Sequence, residues 1–403
     1  MNISLANNET DYLSVAINDF KRKYPIASWT KYGLFDESYL ASINVHWLQF
    51  LPPHQLNHYI LAVLYFIIMV TGFVGNIFVI GIFVRSPTLR TPANSLVMNL
   101  AISDALMMSK MPVFIFNSLS FGPVLGSLGC RIYGFVGGLS GTVSICTLAA
   151  ISLNRYYVIK FPLNMQFTGT RSKICIAFAW IYSVVFASIP LFDTSLGSYV
   201  PEGYLTSCSF DYLSPEVDVK LFILIFFVAA WVAPFVMITF CYVHIWIAVL
   251  ETRNVAKSGK ESSRNIKEDE KRRQDLKLAG TIFLIIILWF TAWTPYAIVA
   301  LLGISNNSDL ITPLASMIPA LFCKTASCID PFVYAITNPK FKYEAKRCFF
   351  KSSMRSRTST KIWSTRCNSE KHLAIKQEKI SLSESDDVKE EIVMVTLRKS
   401  NNH

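Results

Sequence analysis

Seven stretches of this 403-residue chain are each long and apolar enough to cross a bilayer, and that leaves few folds open to it. A bilayer core takes about 20 apolar residues in helix, and within it every backbone N–H and C=O must be paired inside the structure. The first stretch runs from Tyr59 to Val84 without a charge. The others are Ser95 to Ser120, Ile132 to Leu153, Ile174 to Leu191, Leu221 to Leu250, Leu278 to Ile304 and Ile311 to Ile336. Composition points the same way, since 52% of the chain is hydrophobic and only 16% charged, a balance suited to lipid. The fold class expected is an all-α membrane protein, a seven-transmembrane helix bundle.

In a soluble chain a net charge of +11 would raise the question of nucleic acid, but here the cations gather in the loops of one face. The turns after the first, third and fifth stretches carry Arg85 and Arg90, then Lys160, Arg171 and Lys173, then Arg253 through Lys271, Arg272, Arg273 and Lys277. The opposite turns from Phe121 to Cys130 and from Ile304 to Ile311 have no cation. The positive-inside rule then puts the N-terminus outside and the C-terminus in the cytoplasm. Membrane lipid, not nucleic acid, is the partner this charge implies. Met1 to Thr10 shows neither a basic n-region nor an apolar h-region, so the first span is expected to direct insertion.

Sequons at Asn2, Asn8 and Asn306 fall on the outer face, and Asn2 and Asn8 are the candidate glycosylation sites. Of nine cysteines only Cys130 and Cys208 lie at or near that oxidising side, so they are the pair expected to be joined, unless they are two unrelated thiols. Around the membrane domain, 59–337, the chain reads as an extracellular arm, 1–58, and a short basic amphipathic eighth helix, 338–351, with Phe341, Phe349 and Phe350 toward lipid. Cys348 and Cys367 are candidates for acylation. The tail, 352–403, sets serines and threonines beside acids, a composition that builds no core, and is expected to be disordered and phosphorylated.

A charge inside a spanning helix costs at least about 2.5–3.5 kcal/mol on insertion scales, so each one asks for a reason. Asp104, Lys110, Lys324 and Asp330 are such charges. Lys324 lies about 20 Å along its helix, near mid-membrane, where it cannot snorkel. A desolvated amine favours its neutral form, and a neutral amine condenses with an aldehyde as a Schiff base. The alternative is a lysine paired for structure with a buried carboxylate. On the sixth stretch Trp289, Trp293 and Tyr296 recur on one face beside the bend expected at Pro295. On the third, Gly137, Gly138 and Gly141 remove side chains and leave room for a bulky apolar ligand against that aromatic wall. Taken without the lysine, plain helix packing accounts for both runs as well.

At the inner end of the third stretch stands Asn154-Arg155-Tyr156, and at the end of the seventh Asp330-Pro331-Phe332-Val333-Tyr334. These resemble the E/DRY and N/DPxxY signatures of rhodopsin-like G-protein-coupled receptors. Asn76, Leu100-Ala101-Ile102-Ser103-Asp104, Trp180, Pro234 and Trp293-Thr294-Pro295 fill that family's landmarks on the other helices. The resemblance covers Tyr59 to Phe350. Within the family, Lys324 in the run Phe322-Cys323-Lys324-Thr325-Ala326-Ser327 resembles the retinal-binding lysine of arthropod opsins. The segment from Glu202 to Tyr212 is similar to the opsin hairpin that covers the retinal, with Glu202 where invertebrate opsins carry the Schiff-base counterion. Tyr133 occupies the place where vertebrate visual opsins put theirs. Asp104 through Lys110-Met111-Pro112 resembles the second helix of ultraviolet-sensitive insect opsins.

The resemblance implies 11-cis-retinal, or a hydroxylated relative, held covalently on Lys324 among Tyr133, Gly137, Gly138, Gly141, Trp293 and Tyr296, with Lys110 tuning absorption. A cation about 4 Å from the Schiff base, at an effective dielectric of about 20, costs its protonated form about 4 kcal/mol, which keeps the base neutral and its absorption in the near ultraviolet. Alternatively Lys110 points into a water-filled network near Asp104 and leaves the colour alone. The resemblance further implies a light-activated receptor, not an enzyme, in the plasma membrane of photoreceptor microvilli. Arg155, Tyr242 and Tyr334 would stabilise its open state toward a heterotrimeric G protein of the phospholipase-coupled Gq type, and a receptor kinase and arrestin would quench it. Asn154 departs from the family's acid and cannot pair ionically with Arg155, so higher dark activity is expected unless Asp275 holds the arginine. A receptor for a diffusible peptide or lipid and a retinal photoisomerase stay open as alternatives. A diffusible amine is disfavoured, because Gly137 stands where amine receptors place an aspartate.

Overall fold

In each apolar stretch the backbone closes its own hydrogen bonds as helix, as lipid requires. The first span is Gln55–Arg85, the third Gly126–Lys160 and the fourth Gly169–Ser188. The second is Pro92–Ser109 continued by Met111–Leu119, and the fifth is Val217–Phe227, the π segment Val228–Val232 and Ala233–Lys257. The sixth is Ile266–Ile304 and the seventh Pro313–Thr337. The computed structural model describes residues 14–161, 168–257, 266–338 and 340–348. Asn2, Asn8, Phe349, Phe350, Cys367 and the serines and threonines of the tail lie outside the described residues.

The third and sixth helices run past the stretches read from hydropathy, to Lys160 and back to Ile266, and at the sixth the flanking Glu, Lys, Arg and Gln residues are themselves good helix formers. Among the described residues, six helices are long and apolar enough to cross a membrane by length and composition. The seventh span is not one of them: its 25 residues include Lys324, Asp330, Pro313, Pro319 and Pro331, which lower its mean hydropathy. It nevertheless packs lengthwise between the first and sixth spans.

Two spans are interrupted, and proline explains both. Pro112 has no N–H for the Met108 carbonyl, so the second span breaks at Lys110 and restarts with Val113 bonding back to Lys110 at 3.2 Å. Pro234 likewise cannot donate, and the fifth span widens into its π segment just before it. The Tyr182 hydroxyl of the fourth span donates to the Ala229 carbonyl inside that segment at 3.1 Å.

The third span runs through the middle of the bundle and is mostly buried, whereas the first, fourth and fifth show apolar faces such as Ile60, Val63 and Phe66 outward, as a lipid-facing surface must. Buried polar side chains tie the spans together. Asn76 donates to the Ser327 carbonyl, Asn99 to Thr147, and Trp180 to Asn99, at 2.9, 2.8 and 2.9 Å. Ser144 donates to Asp104 at 3.0 Å, and Asp330 of the seventh span is buried beside it.

The arm folds into short elements of its own, and the first span begins before Tyr59, at Gln55. Short helices Ile26–Trp29 and Val45–Leu48 and turns Thr30–Tyr32 and Glu37–Ser42 fold over the disulfide end of the bundle. Trp29 is fully buried, donates from its indole to the Phe121 carbonyl at 3.0 Å, and lies on Gly122, where any Cβ would collide with the ring. Tyr39 reaches the Cys208 sulfur at 3.6 Å, and the His46 ring bonds the Ile311 carbonyl at 2.7 Å. Bundle and arm belong to one unit ending at Lys342; in the second unit, 343–403, the described residues 343–348 are helical, with Glu344 and Arg347 paired at 3.7 Å.

Candidate functional site

Strand β1 (Tyr199–Glu202) pairs antiparallel with β2 (Ser207–Phe210), placing Glu202 opposite Ser207 at the hairpin end. The turn between them holds Gly203 at φ +58°, and a Cβ there would also strike Met317 of the seventh span. Both the backbone and the close approach require glycine. Cys208 of β2 is disulfide-bonded to Cys130 of the third span, which pins the hairpin across the bundle.

Glu202 is buried and points inward. Its carboxylate accepts from Tyr296 at 2.9 Å, Tyr212 at 3.3 Å and Ser207 at 3.4 Å. Tyr296 also donates to Ser209. Burial pushes the Glu202 carboxyl above the usual carboxylate range, against the opposing pull of Lys324, Tyr296, Lys110 and Tyr212.

Beneath the hairpin lies a cavity. Lys324, Glu202, Tyr133, Lys110, Trp293, Tyr296, Gly137, Gly138 and Gly141 all line it. The break in the second span aims Lys110 at the third, where its amine sits 4.0 Å from the centre of the Tyr133 ring and 3.4 Å from the Tyr133 carbonyl. A Cβ on Gly137 would fall on that amine, and one on Gly141 would enter the Trp293 ring. The space at these glycines is taken by neighbouring side chains, which form the wall, rather than left open as the sequence suggested. Trp293 stacks on Trp289 with ring centres 5.4 Å apart.

Lys324 is 6% exposed and Lys110 7%, so both amines are withdrawn from water. Lys324 lies 5.8 Å from the Tyr65 ring centre, with Tyr133, Cys323 and Glu202 as electrostatic neighbours. Among the described residues no ion pair within 4.0 Å involves either lysine, which disfavours a purely structural salt bridge for Lys324. A cation at Gly137 also repels any ammonium ligand. Tyr65, stacked on Phe114 at 3.7 Å, and Ser209 were not singled out from sequence. An aromatic residue in an apolar helix carries no local signal that separates a buried contact beside Lys324 from lipid-facing surface.

At the opposite end Arg155 is buried. Its Nε donates to Asn154 Oδ1 at 3.1 Å, its Nη2 does so too, and Nη1 lies 3.7 Å from Asp275 of the sixth span. Tyr242 donates to the Ala279 carbonyl at 3.0 Å, and Tyr334 donates to Asn94 at 3.3 Å while accepting from Asn338 at 2.7 Å. Tyr156 packs against Phe161, Phe240 and His244. Asp330 and Pro331 lie one turn and less above Tyr334 in the same helix.

The sequence pattern of the family described as 7 transmembrane receptor (rhodopsin family) matches residues 75–334. The curated protein Opsin Rh4 of Drosophila melanogaster is 41% identical over 312 residues, covering 76% of this chain and 82% of its own. Opsin Rh3 of Drosophila pseudoobscura pseudoobscura is 39% identical over 77% and 82% of the two chains, and the ultraviolet-sensitive opsin of Apis mellifera 36% over 76% and 84%. The chain belongs to the arthropod opsins, within the rhodopsin family. The crystal structure of squid rhodopsin matches with a TM-score of 0.71 and 32% identity, over 76% of this chain and 89% of that one. As an opsin the chain is a multi-pass, light-sensing signalling receptor rather than an enzyme, with a G protein as partner and a retinal chromophore implied in general. The cavity fits such a group: aromatic walls suit an apolar polyene, and a withdrawn amine with no carboxylate within ion-pair distance among the described residues suits an aldehyde end.

Proposed function

We propose that this opsin holds 11-cis-retinal, or a hydroxylated relative, as a Schiff base on Lys324, and that it responds to near-ultraviolet light. The observation that carries the reading is the placement of two buried lysines and one buried carboxylate around a single aromatic cavity. When bound, the retinal supplies light absorption and a light-driven change of shape. Lys324 supplies the attachment nitrogen. Glu202, held by three hydroxyl donors, supplies the counter-charge from the hairpin. Lys110, fixed over Tyr133, sets a positive charge in the same cavity and disfavours a second one on the attachment nitrogen.

Trp293 couples the cavity to the sixth span, since it stacks on Trp289 and adjoins the bend at Pro295. Outward movement of that span about Pro295 separates Asp275 from Arg155 and frees Tyr242 from Ala279. Arg155, Tyr242 and Tyr334 then line the opened face toward a Gq-type G protein. The N-terminus lies outside the plasma membrane, in photoreceptor microvilli, and a receptor kinase and arrestin end the signal through the tail. The spectrum of the protein reconstituted with 11-cis-retinal tests the reading. A near-ultraviolet maximum that moves into the visible in Lys110→Glu supports it, and a visible maximum unchanged in Lys110→Glu overturns the ultraviolet assignment.

A further inference from the structure

The cavity contains one amine more than a single attachment needs. Lys110 and Lys324 line it from the second and seventh spans, and both are almost wholly withdrawn from water. Spectral tuning accounts for a positive charge on Lys110, not for where its nitrogen stands. That nitrogen occupies the space left by Gly137, at the cavity wall, with the Tyr133 carbonyl at 3.4 Å as its one hydrogen-bond acceptor among the described residues. No carboxylate lies within ion-pair distance of it among the described residues. The ionisable groups that face it are Lys324, Glu202 and Cys323, and the positive one among them repels a second charge. A buried amine at the cavity wall, with no carboxylate in ion-pair contact among the described residues, is placed to act as a nucleophile toward an aldehyde.

We propose that Lys110 is a second covalent capture site for the retinal aldehyde in this cavity. The inference rests on the reading that the cavity takes retinal. In the reaction the Lys110 nitrogen attacks the aldehyde carbon and a C–N double bond forms. The carbonyl oxygen leaves as water with both protons of the neutral amine. No electron donor or acceptor is needed. Lys324 remains the resident site, and Lys110 takes the aldehyde when the Lys324 amine is missing. Its place at Gly137 puts it against the third span, so the captured ligand is attached from the second span beside the third.

Borohydride reduction of protein incubated with 11-cis-retinal, followed by peptide mass mapping, tests this directly. The adduct is expected on Lys324 in the unaltered protein, on Lys110 in Lys324→Ala, and on neither position in Lys324→Ala with Lys110→Met. Absence of a Lys110 adduct in Lys324→Ala that still quenches tryptophan fluorescence on adding retinal overturns the proposal. Should that variant fail to fold, reductive methylation of the unaltered apoprotein with formaldehyde and cyanoborohydride gives the answer. Lys110 methylated alongside Lys324 supports the proposal, and Lys110 left unmethylated overturns it. The two readings fail separately: an adduct on Lys110 but not Lys324 in the unaltered protein removes the Lys324 assignment and leaves this one standing.

Discussion

Replacing Asp275 with Asn isolates the contact that holds the resting state shut. Among the described residues Arg155 pairs with Asn154 and Asp275; Asn154 lies on the same helix and cannot restrain the sixth span, whereas Asp275 bridges the two. At 3.7 Å and an effective dielectric of about 20, the Coulomb attraction is about 4–5 kcal/mol. Partial exposure of Asp275 and the cost of desolvating Arg155 offset more than half of that, leaving about 1.5 kcal/mol of restraint. A loss of that size raises the open population roughly tenfold, because about 1.4 kcal/mol is a factor of ten in an equilibrium. The assay is nucleotide exchange on a Gq-type G protein by the purified protein in darkness. Asp275→Asn should raise the dark rate roughly tenfold, while Asn154→Asp, which adds a charge beside Arg155, should lower it. A dark rate in Asp275→Asn equal to that of the unaltered protein would refute the argument that this pair is the restraint.

Other outcomes follow from the same structure. Trp29→Ala empties a fully buried site in the arm and removes the bond to the Phe121 carbonyl, so it should cost about 3–5 kcal/mol and shorten the half-life of the dark pigment on warming; an unchanged half-life would mean the arm does not brace the bundle. Cys208→Ala opens a cross-link spanning 78 residues, about 4.5 kcal/mol in the chain-entropy picture, and should sharply reduce the yield of retinal-binding protein; a normal yield would speak against the hairpin being pinned. Burial makes Glu202 bind its proton more tightly in the folded than in the unfolded chain. The stability this gives is present at acid pH and lost as pH rises from the ordinary carboxylate range through the raised folded value. The melting temperature of the apoprotein should fall over that window, and Glu202→Gln should flatten the fall; equal slopes would contradict it.

Much of the bundle was legible because the bilayer imposes one length and one composition on every span. The seventh span shows where hydropathy alone runs short: it was legible as a stretch from Ile311 to Ile336, yet Lys324, Asp330 and its prolines keep it out of the described helices apolar enough to cross a membrane. Both interruptions sit at Pro112 and Pro234, but only packing decides that one becomes a break and the other a π segment. Lys324, Lys110 and Glu202 stood out as charges in apolar or loop sequence, and the structure brings them to one cavity. That Lys110 fills the gap at Gly137 was not readable, since it depends on the direction of a helix after a break. The arm was read simply as an extracellular arm because Phe20, Trp29, Tyr39 and Trp47 follow no helical or strand period. They are ordered by long-range contacts to the loops, which local sequence does not encode.

The most direct test of light sensing through Lys324 is nucleotide exchange on a Gq-type G protein, with and without 11-cis-retinal, before and after a near-ultraviolet flash. Exchange that rises only with both retinal and light, and loses that rise in Lys324→Met with Lys110→Met, is the predicted result. A rise under light without retinal, or one that persists in the doubly altered protein, would contradict it.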